Sequence, residues 1–178
     1  TNFPPEFQEI AAGNIAGIPN QVIIFAVLLI LSFILLHLTK YGRKIFLIGV
    51  NRNTAEYSGI KTARVVMSTY VLSGIAASIS GILLTSYLGT AKPDFGADLT
   101  LPIITAVVLG GTSIYGGKGN VIGTGLAALI IGFMKFGLTL IGVNAQYQDI
   151  PVGILLILSL IINFMIHSKV FQKIMKKK

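Results

Sequence analysis

The sequence contains no cysteine and unusually little charge. Without cysteine, disulfide bonds and cysteine-ligated metal sites are excluded. Charged residues make up only 11% of the 178 residues, whereas a soluble domain carries about 25%. This is too little charge to cover a globular surface, and hydrophobic residues reach 53%. The composition therefore predicts an integral membrane protein.

Motifs of enzymes and of nucleotide sites are also lacking. The segment GTSIYGGKGN resembles a phosphate-binding loop only loosely, because Thr112 and Gly119 replace the Gly and the Ser or Thr that the pattern needs around Lys118. No HExxH or GxSxG motif occurs, and His37 and His167 lie at the ends of apolar runs, where an interfacial side chain is favoured over a metal ligand. We expect no enzyme active site, no metal and no cofactor, so that any nucleotide-driven step needs a partner chain.

Four long apolar runs are present, at residues 21–38, 65–87, 121–143 and 151–166. A helix of 18 residues rises about 27 Å, which is close to the thickness of the hydrocarbon core. A fifth apolar run at residues 99–109 is too short to cross the membrane alone. The predicted fold is an all-α polytopic transmembrane bundle of about five crossings, one of them short or broken near residues 99–111.

The distribution of charge predicts the orientation. Acidic residues fall in the loops that would face outward, and basic residues fall in the other loops and in the tail, as is typical of cytoplasmic segments. With the N-terminus outside, five crossings place the C-terminus in the cytoplasm. The net charge of +8 follows this loop pattern, so we expect no nucleic acid partner. The chain begins at Thr1 in a polar loop, and we expect a fragment that lacks an N-terminal half, with residues 1–178 forming the C-terminal half of one membrane domain.

A glycine-rich stretch, LGGTSIYGGKGNVIGTG, separates two apolar runs at residues 109–125. Freed backbone groups are costly in lipid, so such a break survives only where it is buried in protein, lines a cavity or lies at the membrane surface. We predict a turn between two closely packed helices. Its glycines are Gly110, Gly111, Gly116, Gly117 and Gly119.

The basic loop at residues 39–64 contains a possible docking element. Asn53 is predicted to cap a short helix over residues 54–58, and Gly59 is a natural stop for it. A compact helix flanked by bases suits docking of a cytoplasmic partner, but an ordinary cytoplasmic loop would have the same charge pattern.

Two features of the spans are candidates for a solute path. Gly74, Ser78 and Gly81 are small residues at helical spacing, which lets helices approach closely. Lys135 is a charge inside an apolar run, which is a functional hypothesis by default. Its long stem also permits an anchoring role, in which the ammonium group reaches toward the membrane surface.

Several motifs, taken in order along nearly the whole chain, resemble those of a known family. The order NRNTAEYSGI, a small-residue span, VLGGTSIYGGKGNVIGT and LIGVNAQYQDI resembles the C-terminal half of the permease subunit of ribose-type ABC sugar importers. That broad family includes permeases for autoinducer-2 and, more distantly, for branched-chain amino acids. A departure is Lys135, where ribose permeases are expected to have an uncharged polar residue.

The resemblance implies a transport subunit of a prokaryotic cytoplasmic membrane. It implies two permease chains, identical or different, a cytoplasmic ATPase that hydrolyses ATP, and an extracytoplasmic solute-binding protein. It assigns the ATPase-coupling role to a seven-residue segment: Asn53, Thr54, Ala55, Glu56, Tyr57, Ser58 and Gly59. The implied solute is a monosaccharide such as ribose or an autoinducer-2-like sugar derivative.

Three alternatives stay open from the sequence. A branched-chain amino acid ABC permease shares the family. An ion-coupled secondary transporter also uses broken helices, although buried acids are lacking here. A structural membrane subunit without a path of its own is the third.

Overall fold

The computed structural model describes residues 3–15 and 17–167. Its elements fall into two compact units, Thr1–Pro93 and Asp94–Lys178. The basic tail predicted to be cytoplasmic, with Lys169, Lys173 and residues 176–178, lies outside the described residues.

Among its described residues, the first unit has five α-helices and one short β-ribbon. They are α1 (Pro5–Ala12), the antiparallel strands β1 (Asn14–Ile15) and β2 (Ile18–Pro19), α2 (Asn20–Phe33), a π-helical turn (Ile34–Leu38), α3 (Lys40–Val50), α4 (Arg52–Tyr57) and α5 (Thr62–Leu88).

The described part of the second unit, up to residue 167, contains three α-helices. They are α6 (Thr100–Leu109), α7 (Val121–Leu140) and α8 (Asp149–His167), with 3₁₀ turns at Pro93–Leu99 and Ala145–Tyr147.

Among the described residues, four helical segments are long and apolar enough to cross a membrane. They are Asn20–Leu38, Thr62–Leu88, Val121–Leu140 and Ala145–Met165. The helix α6 has ten residues and rises only about 15 Å, so it is the short apolar helix that the sequence predicts. The predicted all-α polytopic class is confirmed.

The basic segment at residues 39–64 was expected to be mostly loop, but most of it lies in α3, α4 and the start of α5. After the π-helical turn the chain bends at Thr39, whose hydroxyl oxygen accepts hydrogen bonds from the backbone N–H groups of Tyr41 and Gly42 and so caps α3. Gly42 lies against the backbone of Leu36, where a Cβ atom would overlap it. The expectation of a loop was wrong because the Thr39 cap and the contact of Gly42 with Leu36 favour a helix here. Both depend on the turn after α2, which the charge pattern of the segment does not reveal.

The C-terminal end of α5 holds α1. Ser86 is almost fully buried, and its hydroxyl accepts a hydrogen bond from the backbone N–H of Ala11 at 3.1 Å while donating to the carbonyl of Phe7 at 2.6 Å. One side chain therefore satisfies backbone groups at two positions of α1.

The second unit is built on a small apolar core. Ala106, Ala127, Ile131 and Val152 are buried together, one or two from each of its three helices. Alanines at the contact let α6 and α7 approach closely, as small residues do between membrane helices.

Candidate functional site

The helix α4 carries five of the seven predicted coupling residues, and the other two, Ser58 and Gly59, follow it directly. Its start differs from the prediction. The Asn51 side chain, rather than that of Asn53, accepts the capping hydrogen bond, from the backbone N–H of Thr54 at 3.1 Å. Asn51 has an extended backbone, as a capping residue requires, and Asn53 is already inside the helix.

The end of α4 is fixed by Gly59, as the sequence predicts. Gly59 has φ +79°, and its N–H donates to the carbonyl of Glu56 at 2.9 Å. The N–H of Ile60 donates to the carbonyl of Ala55 at 3.1 Å. This pair of bonds is the Schellman arrangement, which needs a left-handed residue at the glycine position. A Cβ atom at Gly59 would meet nothing within 4 Å, so only the backbone conformation demands glycine there.

A side-chain network joins α4 to the first turn of α5. The buried hydroxyl of Thr62 donates a short hydrogen bond to Glu56 Oε1, and Arg52 Nε donates to the same oxygen at 3.4 Å. The Thr62 hydroxyl lowers the pKa of Glu56 below its usual value, partial desolvation opposes this, and Arg52 adds to the lowering. The carboxylate thus acts as a brace between the short helix and the long one.

Most side chains of α4 face away from the unit. Ala55 is buried, whereas Tyr57 is 93% exposed. Asn53 and Thr54 are exposed as well, and their positions three to four residues before Tyr57 place all three on adjoining parts of the helix surface. An exposed aromatic side chain on a helix that is capped at both ends is a rigid contact element.

The predicted glycine-rich turn lies between α6 and α7. Gly110 lies against the backbone of Gly123 and Thr124 at the start of α7, so closely that a Cβ atom would overlap it. Asn120 caps α7 by accepting from the N–H of Gly123 at 3.2 Å.

Two further backbone bonds close this turn on itself. The N–H of Ser113 donates to the carbonyl of Lys118 at 3.0 Å, and that of Gly116 donates to Ser113 at 3.1 Å. Gly111, Gly116 and Gly117 have positive φ, and Gly119 does not.

The small residues proposed for the solute path share one stripe of α5. Gly74, Ser78 and Gly81 are all exposed within the first unit, and a Cβ atom on either glycine would meet nothing within 4 Å. The Ser78 hydroxyl donates to the carbonyl of Gly74 at 2.8 Å, so it is satisfied within its own helix.

The fourth candidate, Lys135, lies in the second unit and has a partner. Its ammonium group donates to Asp149 Oδ1 at 2.9 Å, with the two side chains 27% and 42% exposed. The neighbouring Gln148 is buried and donates to the Thr139 hydroxyl and to the carbonyl of Val143, both at 3.0 Å.

The Lys135–Asp149 pair and the contacts of Gln148 were not predicted from the sequence. A single charge in an apolar helix is costly unless it is paired, and Asp149 is the acid nearest to Lys135 along the chain. The pair could have been predicted on that ground.

Two comparisons with known proteins found similar permeases. A family model described as "Branched-chain amino acid transport system / permease component" matches residues 1–160. The chain is 44% identical to the Autoinducer 2 import system permease protein LsrD of Yersinia enterocolitica over 156 residues, which are 88% of this chain and 47% of the relative. Proteins of the same name from Yersinia pestis and Yersinia pseudotuberculosis are 44% and 43% identical over the same shares. The chain spans about half the length of these relatives. No solved structure matches it.

Proposed function

The chain belongs to the family of branched-chain amino acid transport system permease components, and on that premise we propose that it is the C-terminal half of the permease subunit of an ATP-binding-cassette importer. It crosses the cytoplasmic membrane of a prokaryote several times and ends in the cytoplasm. The chain itself is a transport subunit that catalyses no reaction, and ATP is hydrolysed on a separate chain.

The proposed partners are those of such an importer. A cytoplasmic ATPase docks on the permease, a second permease chain completes the path, and an extracytoplasmic protein delivers the solute. Among the described residues, the observation that carries the docking part is α4: a short helix capped at both ends, with Tyr57 exposed and Glu56 hydrogen-bonded to Thr62 of a membrane-spanning helix. Because Glu56 of α4 is hydrogen-bonded to Thr62 of α5, a displacement of α4 by a partner bound at Tyr57 would also move α5.

The proposed solute is a monosaccharide or a sugar derivative like autoinducer-2. The relatives are named for autoinducer-2 import, and their identity of 43–44% supports a solute of that class. The solute would pass small-residue faces such as that of Gly74, Ser78 and Gly81, whose lack of bulk leaves room beside α5. Lys135 is the weaker candidate for the path, because Asp149 already neutralises its charge.

The experiment that tests this proposal is transport by the whole importer. The full-length permease is co-expressed with its partner ATPase, purified, and reconstituted into proteoliposomes with the binding protein. We expect uptake of labelled ribose or autoinducer-2 that needs internal ATP and stops in an ATPase variant unable to hydrolyse it.

The other outcomes separate the alternatives. Uptake of leucine or valine in place of a sugar would assign the amino acid branch of the family. Uptake that continues without ATP but collapses with an ionophore would assign an ion-coupled transporter. No uptake of any solute by an intact complex would leave a structural subunit.

A further inference from the structure

A groove on the first unit lies at the start of α5, where the basic segment meets the apolar residues of the helix. It has a volume of about 510 Å³ and runs between Leu35 and Tyr41 on one side and the first turns of α5 on the other. Arg64 is at one end, and Met67, Val71 and Leu72 continue it along α5.

The polar atoms in the wall are satisfied by one another. The Ser68 hydroxyl donates to the carbonyl of Val65 at 2.7 Å, so its single proton is used. The Tyr41 hydroxyl lies 2.6 Å from Ser68 Oγ and is therefore the donor of that bond. The wall offers an occupant hydrophobic contact but no free hydrogen-bonding group apart from Arg64.

Arg64 has no carboxylate partner among the described residues. The ion pairs formed there are Arg52 with Glu56 and Lys135 with Asp149. Glu56, the one acid between residues 39 and 64, is already engaged by Thr62 and Arg52. Arg64 therefore leaves one end of the groove cationic, and an anion would complement it.

The groove can hold a phosphate group at Arg64 and the adjoining part of one acyl chain. From Arg64 to Leu72 the helix rises about 12 Å, from its charged start into the membrane-spanning part. Along that path Met67 is 71% exposed and Val71 is 54% exposed, so both can contact an acyl chain. A guanidinium group binds phosphate oxygens in a bidentate manner, and basic pockets between membrane helices bind anionic headgroups.

We propose that this groove binds an anionic glycerophospholipid, with its phosphate on Arg64 and an acyl chain along Met67, Val71 and Leu72. Zwitterionic lipids would bind it more weakly, because their positive group meets the same cationic surface. The site is separate from the exposed residues of α4. It occupies the first turns of α5, up to Leu72, and the small-residue stripe proposed for the solute begins beyond it at Gly74.

Native mass spectrometry of the full-length permease complex tests the site, with phosphatidylglycerol titrated against phosphatidylcholine. We expect Arg64→Gln to weaken binding of phosphatidylglycerol about tenfold, as loss of a charge-assisted contact does. Arg43→Gln is the matched control, since Arg43 is an exposed base of α3 outside the groove wall, and we expect it to bind as the unmodified protein does.

Photo-cross-linking gives a second readout that does not depend on Arg64. Phosphatidylglycerol with a diazirine on its acyl chain should label the peptide containing Met67 and Val71 in the unmodified complex. Equal lipid binding by the Arg64 and Arg43 variants, or no label on that peptide, would overturn the proposal. In the second case another protein segment covers the groove.

Discussion

The ammonium group of Lys135 lies 2.9 Å from the carboxylate oxygen Oδ1 of Asp149, which joins the C-terminal half of α7 to the first residue of α8. The two residues are 14 positions apart, and the tight connection between the helices brings them together. Asp149 also stands at a helix N-terminus, where a negative charge is favoured. The pair therefore neutralises a charge inside an apolar helix and links α7 to the start of α8.

We predict that replacing one member of this pair lowers the free energy of unfolding more than replacing both members. Lys135→Gln leaves Asp149 without its counter-charge and should destabilise the full-length permease by about 1–3 kcal/mol, because an unpaired, half-buried charge loses its compensation. The double variant Lys135→Gln with Asp149→Asn removes both charges and should recover most of that loss. Thermal unfolding in detergent measures the three proteins.

Transport by the same variants decides the role of Lys135. If the double variant is stable and imports normally, Lys135 is a packing residue. Recovery of stability without recovery of uptake would place Lys135 on the solute path and contradict our assignment. Equal stability of single and double variants would mean that the ion pair contributes nothing.

A second prediction concerns the stop of α4. Gly59→Val forces a β-branched residue into a left-handed conformation at a cost of about 1–2 kcal/mol, which is enough to unwind a helix of six residues. We expect reduced co-purification of the ATPase and reduced ATP-driven uptake. Gly59→Asn is the matched control, since asparagine tolerates this conformation and the position has free space around it. Full ATPase association by the valine variant would refute the docking role of α4.

The brace between α4 and α5 predicts a dependence on pH. The pKa of Glu56 is lowered in the folded protein from its reference value of 4.5. A lowered pKa means that the stabilisation is fully present above pH 4.5 and is lost as the pH falls through the folded pKa. The contacts of α4 should therefore be constant at neutral pH and loosen only in acid.

Hydrogen exchange of the peptide covering residues 52–58 measures this loosening. At neutral pH, Thr62→Val should raise exchange of that peptide, because the variant lacks the hydroxyl that donates to Glu56. Glu56→Gln should show little further loosening in acid, since it has no carboxylate to protonate. An acid response of that variant as large as that of the unmodified protein would assign the effect to another group.

Much of the fold could be predicted from the sequence because its signals are local. An apolar run of sufficient length can satisfy its backbone in lipid only as a helix, so the four spans follow from hydropathy. The stop at Gly59 follows from the chemistry of a single residue.

The remaining features depend on contacts between segments. Whether Asn51 or Asn53 caps α4 is decided by the extended backbone at Asn51, which the sequence does not reveal. The helix α3 depends on the packing of Gly42 against Leu36. The Lys135–Asp149 pair depends on how the loop between α7 and α8 folds.

The last prediction tests the close contact between α6 and α7. Gly110→Ala places a Cβ atom on the backbone of Thr124, which cannot move aside as a flexible side chain could. Overpacking of this kind costs about 1–3 kcal/mol, and here it would force the two helices apart at the glycine-rich turn. Lower yield and a lower unfolding temperature of the full-length permease are the expected results.

Gly132→Ala is the control for this change, because it adds the same methyl group in α7. Gly132 lies in open space without a positive φ, and alanine there should be neutral or improve helix stability by up to about 1 kcal/mol. Equal losses in both variants would mean that any added bulk on these glycines disturbs the permease, for instance by blocking a partner helix. A loss confined to Gly110→Ala would establish that glycine is needed there because two backbones meet, which is the reason a glycine-rich turn can persist between two membrane helices.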